Sequence, residues 1–161
     1  MIMLELKLLF LLMVANGVPI LINKALGKRL ARPIDGGVRF IDRRPLFGPS
    51  KTWRGLISAI PVTGLAAAGV ELPFELGVWV GATAMLGDLF SSFLKRRLGI
   101  PASGMALGLD QIPESLFPLL AVRAELGLEL IQIAGLVAGF LFAELVVSRI
   151  LFQLRIREQP Y

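Results

Sequence analysis

The amino-acid sequence predicts an all-α protein that crosses the membrane several times, and three observations carry that expectation. Apolar stretches of membrane length recur along the chain, 55% of its 161 residues are hydrophobic, and its 17 Lys and Arg residues cluster between those stretches. A helix needs about 20 mainly apolar residues to cross the hydrocarbon core. Residues 4–26, 55–72, 74–94 and 126–152 meet that requirement. The first of these is too long for a typical signal peptide and lacks a small-residue cleavage site, so it is expected to remain as a span.

A fifth stretch, residues 112–124, is shorter and holds Pro113, Glu114 and Pro118, so charge rather than hydropathy argues that it crosses. Nine Lys/Arg lie from Lys24 to Arg54, three more are Lys95, Arg96 and Arg97, and Arg149, Arg155 and Arg157 bring the number to fifteen. If residues 112–124 cross, all fifteen fall on one side and only Lys7 and Arg123 on the other. That arrangement obeys the positive-inside rule with the N-terminus outside and the C-terminus cytoplasmic. Five transmembrane helices are therefore expected, with external turns at 71–73 and 123–127 and cytoplasmic loops at 27–53 and 96–111. No internal repeat is evident, and residues 1–161 are expected to form a single domain.

Composition narrows the chemistry. The chain has neither His nor Cys, which excludes imidazole bases, thiol nucleophiles, disulfide frameworks and zinc–thiolate sites. The net charge of +5 does not point to nucleic acid, because the basic clusters sit between membrane-length spans instead of interleaving with aromatics on a soluble face. Catalysis would rest on carboxylates, Lys/Arg, hydroxyls, amides and a hard metal ion.

The third helix is the most informative. At 100° per residue Gly77, Gly81, Ala84, Asp88, Ser91, Ser92 and Lys95 fall in a narrow stripe. Small residues at that spacing admit a neighbouring helix, and a homo-oligomer is compatible with such a face. An ionisable group within a span is a functional candidate by default; the alternative for Asp88 is an acid at the end of a packing face. Ser92 and the run Lys95, Arg96, Arg97 place hydroxyl and cations on the same helix, as a metal-plus-phosphate site requires, although a basic run also anchors to anionic headgroups. Asp110 opens the next helix and is either its cap or a second carboxylate for a hard cation at the level of Asp88.

In the first loop, Asp35-Gly36-Gly37, Asp42, and Gly48-Pro49-Ser50-Lys51-Thr52-Trp53-Arg54 have the composition of a polyphosphate cradle without P-loop spacing. A plain topology signal would look similar. Asn16, Pro19 and Asn23 share a face of the first helix, where amides serve as interhelical glue or touch a ligand. Glu144 lies inside the last span and is open between a buried partner and a site residue.

Taken in order, Ala15-Asn16 with Pro19, Asp35-Gly36-Gly37 with Phe40 and Asp42, Phe47-Gly48 with Lys51-Thr52-Trp53-Arg54-Gly55, Gly87-Asp88, Ser92-Phe93 with Lys95-Arg96-Arg97, Gly99, Gly104 and Asp110-Gln111 resemble the CDP-archaeol synthase family. These are membrane cytidylyltransferases related to the phosphatidate cytidylyltransferases, and the resemblance covers nearly the whole chain. It implies five transmembrane helices in the cell membrane, a site facing the cytoplasm, and Mg²⁺ dependence. The implied reaction is transfer of CMP from CTP to an ether-lipid phosphate such as 2,3-bis-O-geranylgeranylglycerol 1-phosphate, with release of pyrophosphate. On that implication Asp88 and Asp110 hold the metal and act with Lys95 in catalysis. Lys51, Thr52, Arg54, Ser92, Arg96 and Arg97 neutralise phosphate charge, and Asn16, Asn23, Asp35 and Asp42 serve metal, ribose or loop order. One departure follows Asp110-Gln111: the family pattern leads to an early acidic or aromatic residue, whereas Ile112-Pro113-Glu114 stands here, which makes Glu114 the candidate replacement. Of the rivals, a CDP-alcohol phosphotransferase would need an Asp where Arg32 stands, a channel or transporter would carry ionisable groups through the full membrane depth, and a noncatalytic assembly subunit would tolerate loss of the Asp88 carboxylate.

Overall fold

A computed structural model describes residues 2–27, 29–102, 104 and 106–154. Among them six helices follow one another: α1 (Ile2–Leu26), α2 (Trp53–Gly69), α3 (Phe74–Arg97), α4 (Gln111–Ala121), the single turn α5 (Arg123–Leu126) and α6 (Leu130–Gln153). The all-α expectation holds, and β-type pairing among these residues is limited to the isolated bridges Pro33↔Thr52 and Arg39↔Pro45. Three helices, α1, α3 and α6, are long and apolar enough to cross a membrane. Arg155 and Arg157, which entered the charge argument, lie outside the described residues.

Local chemistry sets the helix ends. Thr52 caps α2, its Oγ1 accepting from the amide of Gly55 at 3.4 Å. The guanidinium of Arg54 reaches back from α2 to the end of α1, donating to the Asn23 side chain at 2.7 and 3.1 Å, to the Gly27 carbonyl at 2.7 Å and to the Arg29 carbonyl. It thereby satisfies carbonyls that the end of a helix leaves without partners. Gly127 takes a left-handed conformation (φ 64°) that stops α5, and Glu129 with Gln132 forms the capping box of α6. The last span therefore starts at Leu130 rather than at residue 126.

Helix α3 is the axis of the bundle, with α1, α2 and α4 all packed on it. Its small-residue stripe does what the spacing predicts. A Cβ on Gly77 would lie 2.5 Å from both the Thr63 carbonyl oxygen and the Ala67 methyl, and one on Gly81 would lie 3.1 Å from the Ile60 Cα, so α2 and α3 meet backbone to backbone. A Cβ on Gly87 would strike the Pro113 carbonyl, which brings the start of α4 against the middle of α3.

That contact explains the length of α4. Leu119 and Val122 share a core cluster with Leu76 and Val80 at the start of α3, with Leu8 and Leu12 of α1, and with Ile133, Leu136 and Phe140 of α6. Helix α4 therefore runs beside α3 from about Phe90, whose ring lies 5.5 Å from that of Phe117, back towards Leu76. Helix α4 has 11 residues, or about 16 Å at 1.5 Å per residue. The last turn of α3 carries Lys95, Arg96 and Arg97, whose side chains donate to loop carbonyls at Gly104, Pro101 and Pro45. We refer to this end of the bundle as the loop face.

Replacing Gly77 by Leu is expected to lower the melting temperature of the detergent-purified protein sharply, because overpacking against backbone costs about 1–3 kcal/mol or more. Gly139→Leu serves as control, since a Cβ there meets nothing within 4 Å. Equal melting temperatures for the two variants would contradict the α2–α3 contact.

Candidate active site

Where α4 begins and the two loops meet it, five charged side chains converge. The Asp88 carboxylate accepts from Lys51 Nζ at 2.5 Å and is hydrogen-bonded to the Glu114 carboxyl. Lys95 Nζ lies 2.6 Å from Asp110 Oδ1 and donates to the Gly104 carbonyl at 3.1 Å. Lys95 also lies within electrostatic reach of Asp88, and Asp110 within reach of Lys51. Two ammonium groups thus face three carboxyls, none of them more than about a quarter exposed. Lys51, at the end of the first loop, is under opposed influences: burial would depress its pKa, but Asp88 and then Glu114 outweigh that and hold it above the ordinary lysine value.

The Asp88–Glu114 contact has a chemical consequence. It sets two carboxyls side by side, and a cation bound between them would offset their mutual repulsion. The donor set suits a hard cation completed by phosphate oxygens, since Mg²⁺ sites use one or two carboxylates plus substrate phosphates rather than full protein cages. Among the described residues no group of three or more carboxylates, His or Cys forms a complete metal cage.

The predicted residues fall into two sets. Lys51, Asp88, Ser92, Lys95 and Asp110 come together around the recess; Ser92 is buried on the α3 face that holds Asp88 and Lys95. Asp110 precedes α4 but does not cap it. Its Oδ2 accepts from the Ala106 amide at 3.1 Å, while Gln111 Oε1 accepts from Gly108 at 2.8 Å, so the pair folds the second loop into the site. Arg96, also buried, donates to the Pro101 carbonyl at 2.8 Å. The Nε groups of Arg96 and Arg97 are buried without a protein acceptor, which leaves donors for an anion.

The other set organises the loops. Asp35 is the hub of the first loop, accepting from the amides of Gly48 (2.8 Å), Gly37 (3.0 Å) and Phe47 (3.0 Å). Burial would raise its pKa, but those amides prevail and hold it below the usual carboxylate value. Asp42 accepts from the Arg44 amide at 3.0 Å and pairs with Arg97 at 3.1 Å. Arg97 also donates to the Pro45 carbonyl at 2.6 Å, and Arg44 caps α3 through the Arg97 carbonyl at 2.6 Å. Thr52, Arg54 and Asn23 are engaged at helix ends, and the Asn16 amide donates within α1 to the Leu12 carbonyl at 3.0 Å. Glu114 is the residue that the sequence left without an assigned role. Its signal was the spacing from Asp110, four positions on in a helix, which sets both acids on one face.

Neutralising Lys51 or Asp88 alone is expected to destabilise the protein, because each leaves an uncompensated charge in a largely dry recess. Lys51→Met combined with Asp88→Asn should lose less than the sum of the two, with a coupling of about 1–3 kcal/mol read from denaturation in detergent. Additive losses would mean that the pair is not formed.

Residues 68–161 match the family model described as CarS-like, CDP-archaeol synthase. The chain is 42% identical over 116 residues to a CDP-archaeol synthase of Hyperthermus butylicus, covering 68% of this chain and 66% of that one. It is 43% identical over 86 residues to one of Saccharolobus islandicus, covering 50% and 51%. A third, of Sulfurisphaera tokodaii, is 32% identical over 137 residues, covering 80% and 81%. The matched region thus spans between about half and four fifths of these relatives. A solved structure of an intramembrane enzyme for archaeal membrane lipids biosynthesis is 31% identical, with a TM-score of 0.66 over 86% of this chain and 90% of that one. The chain belongs to the CDP-archaeol synthase family.

Proposed function

We propose that this protein transfers CMP from CTP to a membrane lipid phosphate, 2,3-bis-O-geranylgeranylglycerol 1-phosphate or a close analogue, forming a CDP-archaeol-type lipid and pyrophosphate. The observation that carries the reading is the recess of Lys51, Asp88, Lys95, Asp110 and Glu114 at the inner end of two basic loops, in a chain of this family. A lipid phosphate monoester is already a nucleophile, so the absence of His and Cys is no obstacle. What the reaction needs is orientation and charge neutralisation.

In this mechanism an oxygen of the lipid phosphate attacks the α-phosphorus of CTP in line, and the bond to the β,γ-pyrophosphate breaks. Lys51 and Lys95 neutralise the phosphate oxygens as charge moves onto the leaving pyrophosphate, and the unused Nε donors of Arg96 and Arg97 hold the triphosphate. Asp88, with Glu114 beside it and Asp110 across the recess, would hold Mg²⁺, which when bound draws charge from the triphosphate. Arg54, Thr52, Asp35, Asp42, Asn16 and Asn23 keep the loops and helix ends in register.

Labelled CTP supplied with Mg²⁺ and an archaetidic-acid-type ether phosphate should yield CDP-lipid, and Asp88→Asn should reduce the rate by about 100-fold or more, assayed at a temperature at which the variant is shown to remain folded. Phosphatidic acid in a parallel reaction tests whether the acyl ester serves equally. No product with either lipid from folded wild-type protein would overturn the proposal.

We further propose that α2 and the α4–α5 segment also cross, making five spans with the N-terminus outside and the recess facing the cytoplasm of a multi-pass cell-membrane protein. The 17 residues of α2 run the height of the bundle beside α3, and the basic loops share one end, as the positive-inside rule requires. Because the chain has no cysteine, single cysteines report directly. Arg29→Cys should react with an impermeant maleimide in inverted vesicles and Glu125→Cys in right-side-out vesicles; the opposite pattern would reverse the topology.

A further inference from the structure

Beyond the recess, the first loop carries an apolar tip that packing and catalysis leave unexplained. Residues 38–46 fold back on themselves: Arg39 bridges Pro45, the Phe40 amide donates to the Arg44 carbonyl at 2.9 Å, and Arg39 Nη1 donates to the Arg43 carbonyl at 3.2 Å. Arg43 turns the chain with φ 63°. At the bend Ile41 is 90% exposed, with Val38 59% and Phe40 40% exposed. A water-facing hairpin would place an aliphatic residue at its bend only at a cost in solvation.

The depth of the tip is set by its contacts. The Phe40 ring meets Phe93 edge-on at 5.4 Å, and the Arg97 guanidinium lies 4.8 Å from the Phe40 ring centre and 4.9 Å from that of Phe93. Phe93 is four residues inside the end of α3, about 6 Å along the axis from Arg97. Since α3 is a candidate membrane span ending at Arg97, Phe40 lies where aromatic residues meet the headgroups, and Ile41 projects next to it. Arg39, Arg43 and Arg44 are exposed around the same bend, as lipid phosphates would require of their partners.

We propose that this tip is inserted in the bilayer interface. Ile41 and Val38 enter the boundary between headgroups and chains, the exposed arginines bind lipid phosphates, and the Arg97–Phe40–Phe93 stack fixes the insertion to the end of α3. The proposal rests on the fold and the membrane span, and it stands independently of the transfer reaction.

Ile41→Cys, labelled with a nitrobenzoxadiazole fluorophore in proteoliposomes containing phosphatidylglycerol, tests it. The expected result is blue-shifted emission, strong quenching by lipids carrying a doxyl group near the headgroup, and weak quenching by aqueous iodide. Emission at the aqueous wavelength, or iodide quenching equal to or greater than that by doxyl lipid, would overturn the proposal. Val38→Cys provides the same readout should Ile41→Cys fail to fold, and Glu125→Cys gives the aqueous reference.

Discussion

The structure depends on one constraint: a carboxylate placed at membrane depth must be matched in charge. Asp88 meets it with Lys51, with Glu114 set beside the pair, and the three residues come from three separate parts of the chain. Lys51 stands one residue before the cap of α2, Asp88 two thirds of the way along α3, and Glu114 in the first turn of α4. Matching the charge therefore also joins the first loop to two helices. Removal of Lys51 or Asp88 would leave the other as an uncompensated charge in a low-dielectric region.

The close approach of the helices makes that matching geometrically possible. Gly87, immediately before Asp88, lets the Pro113 carbonyl rest on α3, and this brings Glu114 within hydrogen-bond reach. Pro113 lies in the first turn of α4, where its missing N–H costs nothing. A larger residue at position 87 would move α4 outward and separate the two acids. Small residues along α3 thus have two uses, packing against α2 at Gly77 and Gly81 and assembling the charged recess at Gly87.

Much of this was legible in the sequence because its cause was local. Hydropathy marks α1, α3 and α6, periodicity marks the α3 stripe, and the presence of Asp88, Ser92 and Lys95 on it follows from 100° per residue. The destinations of the arginines were not legible. Arg54, Arg96 and Arg97 have the composition of a phosphate cradle, yet in the fold Arg54 closes a helix end, and Arg96 and Arg97 also hold loop carbonyls. Composition records how many donors exist, whereas tertiary structure decides which acceptors they meet. The length of α4 was hidden for a similar reason, since residues 112–124 reveal their apolarity but not the helices they pack against, α3 and α6.

The short α4 has a structural consequence for the second loop. Irregular backbone at membrane depth is tolerated only where protein or a wet cavity satisfies its polar groups. In the second loop, four backbone groups of the described residues are met from inside the site: Lys95 on Gly104, Arg96 on Pro101, Asp110 on Ala106 and Gln111 on Gly108. The residues that stabilise this loop are therefore among those proposed to bind the triphosphate. A phosphate entering the recess competes with loop carbonyls for Lys95 and Arg96, while the free Nε of Arg96 lets that side chain bind an anion without releasing Pro101. The cationic side chains hold the loop in place before substrate arrives and retain hydrogen-bonding capacity for the substrate itself, which accounts for the excess of donors at this end of the bundle.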